Sequence, residues 1–140
     1  MTAKRPYPWF HIPGEAQPLP EVGVPPFGDD LAMVLEDTAG VHPGVDMIRG
    51  GIRLLALDAL TADETQTILS TIAGTGTDVF NALGLLVQRL TNPDENPALN
   101  TLSPETAKKV EHRGEMFAYE VAEFAPRDHP SEAAALIDGI

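Results

Sequence analysis

From residue 29 onward, apolar residues recur at alternating spacings of three and four, the period of helices that bury one face, and no clear strand pattern interrupts them. Leu31, Val34 and Leu35 form a first short stripe behind Phe27-Gly28-Asp29-Asp30, where Asp29 or Asp30 is expected to cap the helix. Gly40 is expected to end it, with Val41-His42-Pro43-Gly44 as the turn. Residues 45–60 place Val45, Ile48, Ile52, Leu55 and Ala59 on one face, widened by Leu54 and Leu57. Gly50 and Gly51 inside that run each cost about 1 kcal/mol of helix propensity, so a kink or a closely packed neighbour is expected there.

Thr61-Ala62-Asp63-Glu64 has the form of a capping box and predicts another start, followed by Ile68, Leu69 and Ile72. Gly74-Thr75-Gly76-Thr77 breaks that pattern, and a wide stripe resumes with Val79, Phe80, Leu83, Leu86, Val87 and Leu90. Residues 68–87 are long enough to test as a membrane span, but Asp78 lies in the middle, where an aspartate costs about 3 kcal/mol on insertion. A helix pair is expected instead. A polar loop at 91–97 leads to Ser103-Pro104-Glu105, a strong start signal with a capping serine and proline in the first turn. Its seam is read as Ala107, Val110, Gly114, Phe117, Val121 and Phe124, stopped by Pro126, with Ser131 capping a last short helix. The fold class expected is all-α: an irregular bundle of five or six helices forming a single domain over 29–140.

Residues 1–28 break the pattern. Prolines at 6, 8, 13, 18, 20, 25 and 26 exclude a regular helix and bias the preceding residues to extended geometry, so this stretch is expected to be a polyproline-like arm. It carries Tyr7, Trp9, Phe10 and Phe27, and Trp9 is the sole tryptophan of the chain. Aromatic rings on a segment that cannot build its own core need a cover, from the same chain or from another.

Composition narrows the function. The net charge is −12, with 21 acidic against 9 basic residues. It is spread evenly from residue 29 to the end, without an acidic tail. Such a chain repels phosphate backbones, so direct nucleic-acid binding is not expected. Without cysteine there is no thiolate nucleophile, disulfide or cysteine-ligated metal site. Lys4 and Arg5 precede prolines in place of the apolar run of a signal peptide, and a cytoplasmic protein with no membrane association is expected.

Candidate chemistry is sparse. Glu111, His112 and Glu115 form the most suggestive cluster, since His112 and Glu115 are three apart on one helix face and could do acid–base work or supply metal ligands. Carboxylate-bridged metal bundles, however, need such elements on several helices. Gly74-Thr75-Gly76-Thr77-Asp78 could offer N–H groups to a phosphate, but it lacks a lysine and sets an aspartate where the anion would sit. His11 in the arm, His42 in a turn and His129 after a helix stop are expected to be surface or capping residues, and no serine sits in a nucleophile elbow.

No catalytic residue, cofactor or metal is therefore expected. The leading expectation is a non-enzymatic interaction or assembly protein that docks a protein partner or another copy of itself through Tyr7, Trp9, Phe10 and Phe27. The alternatives are a small helical enzyme or metal-dependent binder using Glu111, His112 and Glu115, and an acidic inhibitor that imitates nucleic acid.

Overall fold

The computed structural model describes residues 23–138, which form six α-helices and one 3-10 turn, with no strand among them. The helices are α1 (Asp29–Asp37), α2 (Pro43–Leu57), α3 (Ala62–Ala73), α4 (Val79–Leu90), α5 (Pro104–Phe124) and α6 (Asp128–Asp138), and the 3-10 turn covers Pro97–Thr101. The all-helical bundle matches the periodicity of the sequence.

Local chemistry explains most boundaries. His42 accepts the Gly44 N–H through Nδ1 at 2.8 Å, with Pro43 behind it at the first position of α2. Asp78 accepts the Asn81 N–H at 2.8 Å to open α4, and Ser103 accepts the Thr106 N–H at 3.2 Å to open α5. The cap of α1 differs from expectation: Gly28 occupies that position, with Asp29 and Asp30 in the first turn, where they still oppose the positive helix end. The last helix also begins earlier than its expected cap. Ser131 lies within α6, and its hydroxyl donates to the Gly74 carbonyl at 3.2 Å.

The described chain divides into two compact units at the Thr61–Ala62 junction. In the first, α1 and α2 do not stack along their lengths but meet at a polar corner. In the second, α4 pairs with α5, α3 pairs with α6, and α3 touches α4. Here the interior belongs to small side chains. Ala73, Ala118, Val121 and Ala134 are buried, as are Gly84 and Gly114. A Cβ on Gly84 would lie 3.2 Å from the Val121 side chain, and one on Gly114 would fall inside the side chain of Thr91. Gly84 facing Val121 while Thr91 faces Gly114 makes α4 and α5 antiparallel, and the glycines let their backbones approach closely.

Two expectations are corrected, the first by that approach. The buried line of α5 runs through Gly114, Ala118 and Val121, while Phe117 and Phe124, placed in the seam by spacing, are exposed. At Gly50 and Gly51 no described atom lies within 4 Å of a Cβ position, and α2 continues through both.

Candidate functional site

Two surfaces stand out, one in each unit, and both carry large apolar side chains where water would ordinarily be faced by charge.

The first is α2. The charged residues of this helix are Asp46, Arg49 and Arg53, and all three engage their own unit. Asp46 Oδ1 accepts the Gly40 N–H at 3.0 Å and Arg49 Nη1 at 3.0 Å. The Gly40 N–H, followed by Arg49, holds its carboxyl below the ordinary carboxylate range. Arg49 Nε donates to the Leu35 carbonyl at 2.6 Å, which ties α2 to the end of α1. The Arg53 guanidinium stands 5.3 Å from the centre of the Phe27 ring, within cation–π range. The polar stripe of the helix thus holds the unit together, and the apolar remainder is left outside: Met47 is 78% exposed and Leu54 70%, with Ile48, Ile52, Leu55 and Leu57 also exposed. No residue of α2 is buried.

The second surface lies between the start of α4 and the C-terminal half of α5. Because small residues occupy the α4–α5 contact, the rings of α5 are turned to its flanks. Phe80, Met116, Phe117, Tyr119 and Phe124 are all exposed, and with Pro126 they line an open groove of about 590 Å³. The Tyr119 and Phe124 rings meet edge to face, 5.6 Å between centroids and 73° between planes.

A buried ion pair holds one end of this groove. Asp78 has its carboxylate fully covered and receives the fork of Arg127, Nε to Oδ2 at 2.7 Å and Nη2 to Oδ1 at 3.2 Å. The carboxylate also accepts the Gly76 N–H at 3.2 Å, a contact that uses the left-handed backbone of Gly76, φ 81°. Arg127 donates further to the Val121 and Ala122 carbonyls at the end of α5, and its guanidinium lies 5.7 Å from the Phe80 ring centre. Arg127 and these N–H groups hold the Asp78 carboxyl far below the ordinary carboxylate range, outweighing the opposing effect of burial. The pair clamps the α3–α4 loop to the α5–α6 corner and sets the Phe80 ring against it.

Compared with known proteins, the chain matches no family model, no curated protein and no solved structure.

Of the docking residues expected from sequence, Tyr7, Trp9 and Phe10 lie outside the described residues, as does His11, while Phe27 is half-buried beneath Arg53 of its own chain. His112 and Glu115 are exposed on α5 and Glu111 is half-buried. The three do not form a metal-binding group, and no set of three or more His, Cys, Asp or Glu among the described residues does so. The phosphate reading of residues 74–78 fails on geometry, since the Gly76 and Asn81 N–H groups already donate to Asp78. His42 serves as a cap and His129 is exposed in the first turn of α6. No helix among the described residues is long and apolar enough to cross a membrane.

Sequence reasoning named neither Arg127 nor the Phe80–Phe124 groove. The only local signal for Arg127 is an arginine directly after the helix-stopping Pro126. For the groove, the signal was the surplus of large apolar residues on α5, more than one seam can bury.

Proposed function

We propose that this chain is a non-enzymatic interaction or assembly protein, in which helical units present apolar surface and the proline-rich arm docks a protein partner or a neighbouring copy through Tyr7, Trp9 and Phe10. The reading is supported above all by the groove of Phe80, Met116, Phe117, Tyr119 and Phe124, whose rings are exposed although the unit that carries them has its own buried contacts. Clustered exposed aromatics of this kind mark surfaces that another chain covers, and aromatic side chains dominate the energies of such contacts. Phe27 acts as an anchor that fixes the root of the arm on α2, leaving the rings at positions 7–10 to do the docking.

The test is removal of residues 1–22, which spares the Phe27–Arg53 contact. Loss of a partner captured by the full chain, or a fall in its mass in solution, is the expected result. An unchanged assembly and partner set would defeat the proposal. Phe117→Ser and Phe124→Ser should give the same loss of partner with helix content intact.

A further inference from the structure

We infer that the occupant of the groove between α4 and α5 is residues 4–10 of a neighbouring copy of this chain, Lys4-Arg5-Pro6-Tyr7-Pro8-Trp9-Phe10, so that copies join arm to groove. This rests on the reading of arm and groove as docking surfaces, and names each as the other's occupant.

The first ground is the chemistry of the walls. The groove is framed by Phe80, Phe117, Tyr119 and Phe124, side chains of helices whose backbone groups are spent in their own ladders. It offers no strand edge, so a ligand is held through its side chains. Aromatic-lined grooves of this kind take proline-rich segments, which need few backbone partners and lose little conformational entropy on docking. Pro6 and Pro8 alternate with Tyr7 and Trp9 in just such a segment. A volume of about 590 Å³ suits a few residues and not a folded surface.

The second ground is charge, and it separates the arm from the rest of a second copy. From Gly114 to Pro126 the chain has Glu115, Glu120 and Glu123, all exposed, and no Lys, Arg or His. Glu120 itself lines the groove, and the nearby Arg127 is already committed to Asp78. All of the net charge of −12 lies beyond residue 28, because Lys4 and Arg5 offset Glu15 and Glu21. The folded surface of a second copy is therefore repelled from these carboxylates. Residues 1–14, with two cations and no acid, are drawn to them, and Lys4 and Arg5 come to face Glu120 and Glu123.

The third ground is reach. Phe27 beneath Arg53 fixes the root of the arm on α2, and an extended proline-rich stretch from there back to residue 10 covers about 50 Å, enough to enter a neighbouring molecule.

The measurement is complementation between two full-length variants, read as weight-average mass by sedimentation equilibrium over roughly 1–300 µM. The parent chain should climb above the mass of one copy. Trp9→Ser spoils the arm and leaves the groove, whereas Phe124→Ser spoils the groove and leaves the arm. Each alone should raise the dissociation constant at least about tenfold, with circular dichroism unchanged. Mixed one to one, they should form a complex of two chains, because the intact arm of one finds the intact groove of the other. Lys4→Glu with Arg5→Glu should weaken association about fivefold. Adding Glu120→Lys to that chain should restore it, and Glu105→Lys, equal in charge but outside the groove, should not. A parent mass fixed at one chain, a mixture that stays at one chain, or rescue by Glu105→Lys as readily as by Glu120→Lys would each overturn the inference. If the parent is a monomer yet both Trp9→Ser and Phe124→Ser lose a captured foreign partner, the proposed function stands and only this inference falls. If neither variant changes assembly or partner capture, both fall.

Discussion

The two units expose large apolar side chains for opposite reasons. In the second, α4 and α5 lie so close, through Gly84, Gly114, Ala118 and Val121, that the contact has no room for aromatic rings, which are displaced to the flanks. In the first, α1 and α2 scarcely pack, and a few polar bonds fix α2 with its apolar side outward. The lesson is that surface hydrophobicity does not by itself report a weak fold. The second unit has an interior independent of its sticky groove, whereas the first buries one large apolar side chain among its described residues, Leu35, beside a corner of hydrogen bonds.

The sharpest way to break this contrast is Gly114→Val. The new side chain would collide with Thr91, and overpacking should cost the second unit about 3 kcal/mol in urea denaturation while the amides of α1 and α2 keep their exchange rates. Next in size is Asp78→Asn, which removes the carboxylate that Arg127 holds. Asp78 titrates lower folded than its ordinary value of 3.8, so its stabilisation is present above pH 4 and is lost as acid brings the pH down toward the folded value. The variant should be less stable at pH 7, and in thermal melts the gap to the parent should begin to narrow only below the ordinary value of 3.8 and shrink progressively with further acidification.

A smaller effect, confined to the first unit, is expected of Arg49→Met, which gives up the bond to the Leu35 carbonyl. Hydrogen exchange in α1 and the 38–42 turn should quicken by about tenfold, consistent with a lost charged hydrogen bond, and the second unit should not respond. The least effect on stability belongs to Phe124→Ser, within about 0.5 kcal/mol of the parent, since its ring is 69% exposed. Its consequence should be read in partner capture. If Phe124→Ser destabilised the unit as much as Gly114→Val, the distinction between interior and groove would fail.

Much of this fold is legible in the sequence because it is local. The starts at Pro43, Val79 and Pro104 are written in the residue before each, His42, Asp78 and Ser103, whose side chains bond within the next three positions. The buried face of α5 is not local. Phe117 and Ala118 are adjacent on the helix, and spacing alone favours the larger; only the approach of α4 at Gly84 decides for alanine. The same limit applies to α2: its stripe of isoleucines and leucines marks an apolar face, but hydrophobic periodicity does not say which side its own chain will occupy. For the candidate site, Phe27 was recognisable as a ring needing cover, but Arg53 as that cover was not, since they come together through the placement of α2. The Asp78–Arg127 clamp spans 49 positions and leaves no trace in spacing.

The α4–α5 crossing also determines where disorder is given up. Gly84, Gly114 and Ala118 have no side-chain rotamers to lose and Val121 has few, so closing that contact surrenders almost no side-chain entropy. The rotamer-rich groups, Met116, Phe117, Tyr119 and Phe124, remain outside it with their freedom largely intact. Folding therefore defers this cost to the moment a partner arrives. Binding at the groove should then show an unfavourable conformational entropy offset by burial of the rings, with a negative heat-capacity change as its calorimetric mark.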